Sequence, residues 1–322
     1  MSRLLGALAA LILAALPAAA QAPAGYPSQA VRFIVPFAAG GATDVLARVL
    51  TKELSERLGK SFVVDNKPGA NGIPGLEALA RAAPDGYTIG MGALSPLAIN
   101  PALYAKLPYD VAKDFVAISG MATLPIVLIV NAKAPADDLK GLVAHLKAKG
   151  TAFYGSPGVG NTSHLYGELF KKVTGVKLEH IPYKGGNLAL QDLVKGEIDL
   201  TFQTIIEALP QIRAGTVKPI ALFWSKRSRD LPDTPTMAEL GVAGFESPTW
   251  FGVIGPAGIP QPIVDYLNAE IRVSLGRPEV QQTFARLSVE AMSMSPAAFG
   301  DWIAAEGRKW GPLVKESGAK VE

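Results

Sequence analysis

The chain of 322 residues contains no cysteine. Disulfides and thiol chemistry are therefore excluded, and the composition suits an oxidising compartment, where a stray thiol is a liability. Its three histidines, His145, His164 and His180, are not spaced like metal ligands, so no metal site is expected. Charge is sparse: 18% of residues are charged, the net charge is +3, and the basic residues are scattered, which leaves no electrostatic footprint for DNA or RNA. Past the N-terminal segment, no apolar run approaches the roughly twenty residues that a bilayer demands.

What is present is 49% apolar content, enough for one large or two medium cores. Residues 1–20 have the three-part layout of a secretory signal: Arg3, an apolar run from Leu4 to Leu16, then Pro17 before Ala18-Ala-Ala-Gln-Ala22. Cleavage is expected after Ala20, because cutting after Ala22 would put Pro23 first. The mature protein is expected in the periplasm.

The organising stretch is Ile34-Val-Pro-Phe-Ala-Ala-Gly-Gly-Ala-Thr-Asp44. A short apolar run breaks at two glycines and a helical pattern follows, with Val45, Leu46, Val49, Leu50, Leu54 and Leu58 at helical spacing. The first N–H groups of a helix lack partners within it, and the peptide dipoles add positive character there, so such a turn suits an anion. Strands follow at Phe62–Asn66 and Tyr87–Met91, with the turn Lys67-Pro-Gly-Ala-Asn-Gly72 and a helix between them. Residues 92–109 read as a long connection containing about one helical turn.

The pattern then returns. Thr151–Gly155 is a strand, Ser156-Pro-Gly-Val-Gly-Asn161 a glycine turn, and Thr162–Val173 a helix. Gly40 to Lys67 spans 27 positions and Gly158 to Lys184 spans 26, so the halves match in spacing as well as in order. This predicts two α/β lobes built from right-handed β-α-β crossovers. The C-terminal part is mostly helical and is expected to return to the first lobe. Lobe 1 is thus assigned residues 26–120 and 250–322, and lobe 2 residues 121–249.

Ligands of open α/β sheets bind beyond the carboxyl ends of the strands, so the two glycine turns should face one another across a cleft. Glycine admits the ligand to backbone N–H groups, and Thr43 and Asn161 suit helix caps. Asp44 reads either as a favourable charge on a first helical turn or as a contact to a bound ammonium or water. Trp250 reads as core or as a cleft wall at a lobe crossing. No Walker motif is present, and Tyr154 stands where a Gly-x-Ser-x-Gly elbow needs its first glycine. Gly158-x-Gly160-x-x-Ser163, with Glu179 beyond it, is a degenerate dinucleotide fingerprint lacking its third glycine, the one enzymatic alternative.

Val35-Pro-Phe-Ala-Ala-Gly-Gly-Ala-Thr-Asp44, Asn66-Lys-Pro-Gly-Ala-Asn-Gly72, Pro84-Asp-Gly-Tyr87, Gly155-Ser-Pro-Gly-Val-Gly-Asn-Thr-Ser-His164, Ile181-Pro-Tyr-Lys-Gly185 and Trp250-Phe-Gly252 run in one order over nearly the whole mature chain. Together they resemble the extracytoplasmic substrate-binding proteins of tripartite tricarboxylate transporters, the Bug family. The resemblance implies a two-lobed periplasmic binding protein fold, each lobe a mixed, mostly parallel sheet flanked by helices. It further implies a small organic carboxylate held in the interlobe cleft and delivered to membrane permease subunits, without catalysis and without a cofactor, by a monomer. In the family the matching loops grip a ligand carboxylate, which here implicates Phe37, Ala38, Ala39, Gly40, Gly41 and Thr43 from one lobe. Ser156, Gly158, Gly160, Asn161 and Thr162 correspond on the other. Neither turn holds an Arg or Lys, so specificity is expected from Leu94, Ser95, Gln203 and Trp250. The neutral amide of Gln203, near where many members carry an acid, argues against a ligand ammonium. A ligand-bound form that docks a sensor instead of a permease is the alternative output.

Overall fold

The structure, a computed structural model, describes residues 22–242 and 248–317; the expected signal segment, residues 1–20, lies outside the described residues. In chain order the first unit is β1 (Val31–Val35), α1 (Ala42–Leu58), β2 (Phe62–Asn66), α2 (Ile73–Ala80) and β3 (Thr88–Ala93). A buried π-helical turn, Ser95–Ile99, and the short α3 (Asn100–Leu103) then fill the region read as a loop. That run is apolar, Leu97, Ala98 and Ile99 being buried, so it packs instead of crossing the surface. β4 (Phe115–Leu124) follows.

The second unit holds β5 (Ile126–Asn131), α4 (Leu139–Lys149), β6 (Thr151–Ser156), α5 (Thr162–Thr174), β7 (Lys177–Pro182), α6 (Gly186–Lys195), β8 (Leu200–Thr204), α7 (Ile205–Arg213) and β9 (Val217–Phe223). The chain then returns through β10 (Thr249–Pro256), α8 (Gln261–Gly276), α9 (Pro278–Arg286), β11 (Glu290–Ala291) and α10 (Pro296–Ser317).

These strands form two sheets, ordered β11-β4-β10-β3-β1-β2 and β7-β6-β8-β5-β9. Parallel pairing joins β1 to β2 and β3, and β6 to β7 and β8. The strands nearest the crossings, β4 and β10 in one sheet and β5 and β9 in the other, pair antiparallel. The internal repeat is thus visible as topology, since β6, β7 and β8 repeat the arrangement of β1, β2 and β3. Both sheets are mixed and flanked by helices, a two-lobed α/β fold.

β4 enters β5 through the single residue Pro125, so the first crossing is nearly continuous strand. The second joins Phe223 to Thr249, and Thr123 Oγ1 donates to the Thr249 carbonyl at 3.1 Å, tying the two passages together. Helix α1 buries Leu46, Leu50 and Leu54 against the first sheet, following its helical apolar stripe. Helix α10 packs on the first lobe and reaches the second, where Trp310 meets Tyr166 edge-on at 5.8 Å. Among the described residues no helix is long and apolar enough to cross a membrane.

Candidate functional site

The first glycine turn is braced from within. Asp44, 3% exposed, accepts from the Gly40 N–H at 2.9 Å, from Arg48 Nε at 2.9 Å and from Asn66 Nδ2 at 2.9 Å. Asn66 Nδ2 also donates to the Phe37 carbonyl at 3.0 Å, so the end of β2 holds both ends of the turn. Burial pushes the Asp44 carboxyl up, but the hydrogen bonds from Arg48, Gly40 and Asn66 outweigh it and hold the group below the usual carboxylate range. The Asp44 carboxylate is therefore committed to the turn and Arg48. Ala39 and Gly40 are exposed at its tip, while Phe37, Ala38 and Gly41 are half-buried.

The second turn is braced more heavily. Ser156 Oγ donates to the Gly158 carbonyl at 2.9 Å and accepts from the Gly158 N–H at 3.2 Å. With its proton spent on Gly158, that hydroxyl also accepts from His180 Nε2 at 2.7 Å. The Gly160 N–H donates to His164 Nδ1 at 3.1 Å, and Asn161 Oδ1 caps α5 by accepting from the Ser163 N–H at 2.9 Å. The two imidazoles lie 4.0 Å apart between centroids. Burial lowers the pKa of His164, and burial together with His164 and Lys171 pushes His180 down to about 3. Both rings are thus neutral supports of the turn. Because the N–H groups of Gly158, Gly160 and Ser163 are already spent, few backbone donors of this turn are left to face a ligand.

Contacts across the lobes follow one line. Ser95 Oγ lies 3.0 Å from Thr162 Oγ1 and accepts from the Thr162 N–H at 3.3 Å. Asn71 Nδ2 donates to the Gly160 carbonyl at 2.9 Å and to Asn100 Oδ1 at 2.6 Å. Gly160, at φ +77°, packs so closely that an added Cβ would lie 1.8 Å from Leu103 Cδ2. Glycine is required there by both conformation and space.

A third cluster lies beyond the carboxyl end of β8. Thr204-x-x-Glu207 opens α7 with half of a capping box: the Glu207 carboxylate reaches back to the Thr204 N–H, while Thr204 Oγ1 makes no cap bond and donates to Glu207 Oε2 at 2.8 Å. The same carboxylate faces the backbone N–H of Ala42 at the start of α1 on the opposite lobe. A Cβ on Gly41 would sit 3.5 Å from Glu207 Oε1, and one on Gly186 would sit 3.1 Å from both Glu207 oxygens and 2.6 Å from Gln203 Oε1. The N-termini of α1, α6 and α7 therefore converge on one carboxylate. Burial raises the Glu207 pKa, opposed by hydrogen bonds from Thr204 and Ala42. Reading the sequence for neutral residues at Gln203 missed this acid; the T-x-x-E pattern three residues after Thr204 is the signal that marks it.

Gln203 is fully buried. Its Nε2 donates to the Gly186 carbonyl and to Thr201 Oγ1, each at 3.1 Å. Thr201 Oγ1 gives its own proton to the Gly155 carbonyl, so it must accept from Gln203, which fixes the amide orientation. Gln203 Oε1 is left buried and without a partner.

Two expected residues are placed elsewhere. Trp250 is fully buried, edge-on to Phe299, with its indole N–H donating to Glu306 at 3.0 Å; it is core beneath α10 and not a cleft wall. Leu94 is likewise fully buried in the apolar core. A hollow of about 960 Å³ lies between Tyr104, Tyr109, Phe115, Ile303 and Ala304, apart from these turns.

The family model for the tripartite tricarboxylate transporter family receptor matches residues 46–319. The chain belongs to that family. Among relatives of this receptor, Protein BugT of Bordetella pertussis is 37% identical over 324 residues, covering all of the chain and 99% of that protein. Rhodopseudomonas palustris Rpa4515, solved with adipate, is 35% identical with a TM-score of 0.88, covering 91% of this chain and 98% of that one. MatC of Rhodopseudomonas palustris, solved with bound malate, is 31% identical with a TM-score of 0.84, covering 90% and 100%. The receptor is accordingly a solute-binding protein of the periplasmic binding protein fold.

Proposed function

We propose that this receptor binds a small organic carboxylate between its two sheets and passes it to the membrane subunits of a tripartite transporter. The observation that carries the reading is a braced glycine turn at the carboxyl end of a parallel strand in each lobe, each meeting the opposite lobe: the second through Ser95–Thr162 and Asn71–Gly160, the first through Gly41 and Ala42 beside Glu207. The adipate held by Rpa4515 and the malate held by MatC support the ligand class.

In this reading the exposed tip of the first turn, within Phe37 to Thr43, meets the carboxylate, the N–H of Ala42 being engaged by Glu207, and Ser95, Thr162 and Gln203 complete the pocket. Asp44, Ser156, Gly158, Gly160 and Asn161 shape the turns. Closure rotates one lobe on the other about Pro125 and the return strand, driven by contacts that the ligand makes only in the closed form. The chain acts without catalysis, as a monomer, and residues 1–20 direct it to the periplasm and are removed.

Thermal shift and titration calorimetry across mono-, di- and tricarboxylic acids test the reading. One or a few acids should stabilise the purified protein, and silence over the whole panel would overturn it. Turnover of a bound acid would overturn the non-catalytic part, and co-purification with a sensor instead of permease subunits would overturn the delivery step.

A further inference from the structure

The place where the fold concentrates positive potential is filled by the protein's own side chain. Glu207 sits where the N-termini of α1, α6 and α7 meet, and it belongs to none of the ion pairs among the described residues. Helix N-termini stabilise a carboxylate, but they are partial charges and do not neutralise it. Beside it stands Gln203 Oε1, an acceptor that is fully buried, fixed in orientation and without a partner. A buried acceptor left unpaired is costly, and this one stands beside the same glycine, Gly186, as both oxygens of Glu207.

We propose that the ligand carries a hydrogen-bond donor close to its carboxylate, with a protonated amine as the strongest match, and that Glu207 and Gln203 Oε1 receive it. The proposal rests on the carboxylate-receptor reading above and narrows it. The ligand carboxylate lies toward the exposed tip of the first turn, at Ala39 and Gly40, and its donor points toward β8. A second carboxylate in that position would face Glu207 at close range and be repelled, whereas an ammonium would pair with it and satisfy Gln203 at once. The neutral residue at position 203 therefore does not make the pocket neutral, because the acid stands four residues further along, in the first turn of α7.

Matched pairs differing by one amine test this: succinate against L-aspartate, glutarate against L-glutamate, and adipate against L-2-aminoadipate. Each is titrated calorimetrically into the wild-type protein and into Glu207→Gln. In at least one pair the amine-bearing acid should bind ten-fold or more tightly than its partner, and E207Q should shrink that ratio at least five-fold. Should E207Q fail to fold by circular dichroism, the wild-type ratios decide alone. Equal or tighter binding of the amine-free acid in every pair that binds, or an unchanged ratio in folded E207Q, overturns the proposal while leaving the carboxylate receptor standing. Silence from all six acids overturns the receptor reading for this ligand class, and the donor preference falls with it.

Discussion

Ser95→Ala separates a contact that merely stabilises the fold from one that serves ligand capture. The Ser95 hydroxyl belongs to the turn after β3 in the first lobe, and its partner Thr162 begins α5 in the second. Both are about 4% exposed. Removing the hydroxyl deletes the 3.0 Å contact to Thr162 Oγ1 and leaves the Thr162 N–H, now 3.3 Å from Ser95 Oγ, buried without an acceptor. An exchanged hydrogen bond contributes about 1 kcal/mol and an orphaned buried donor costs about 1–3 kcal/mol; because Thr162 has some freedom to turn, about 1–2 kcal/mol is expected. If the pair forms only when the lobes close, that energy is lost from binding, and Kd should rise about 5- to 30-fold at 1.4 kcal/mol per decade. Calorimetry with the tightest acid of the panel reads this directly, and the melting temperature of the protein without acid should stay nearly unchanged. An unchanged Kd with a lowered melting temperature would refute the reasoning, since the bond would then belong to the resting fold.

Gly160→Ala places a Cβ 1.8 Å from Leu103 Cδ2 at a residue with φ +77°, so it should weaken acid binding more than ten-fold, and adding Leu103→Ala should recover part of the loss. Glu306→Ala leaves the indole N–H groups of Trp250 and Trp310 without the carboxylate they share at 3.0 and 3.2 Å, and should cost about 2–5 kcal/mol of unfolding free energy in urea melts, with acid affinity little changed. Acidification should loosen the second turn. His180 titrates near 6.5 when unfolded and near 3 when folded, so between those values the unfolded chain binds more protons, and stability falls as pH drops through 6.5. Allowing for solvent screening at a half-buried ring, the loss between pH 7 and pH 5 is about 1–2 kcal/mol. His180→Gln should flatten that limb of the profile, as measured by urea melts at each pH.

Much of this architecture was legible in the chain because local rules govern it. The β1-α1-β2 and β6-α5-β7 units announce themselves by apolar runs, glycine punctuation and helical spacing, and both appear within a few residues of the expected bounds. Pairing partners distant in sequence were not legible. That β10 returns antiparallel between β3 and β4, or that the two residues of β11 add an edge, depends on contacts that no local pattern encodes. The same holds for Trp250, whose place at a crossing suggested a cleft wall until α10 came back over it with Glu306. The site divides along this line. Its turns are motif, and so were legible as strand-to-helix turns. Glu207 belongs to it because α1 on the other lobe aims its N-terminus there, a relation that exists only once both lobes are folded.

The central claim is that the two lobes close on an organic acid gripped at the first glycine turn, and one calorimetric titration set tests it most directly. The purified mature protein and its Gly41→Val variant are each titrated with the carboxylic acid panel, with circular dichroism to confirm that the variant folds. The account predicts saturable one-to-one binding of at least one acid to the native protein and its loss in the folded variant, because a branched side chain beside Glu207 Oε1 blocks the start of α1. Equal affinity in both would contradict the claim, and would leave the turn as a connection between a strand and a helix.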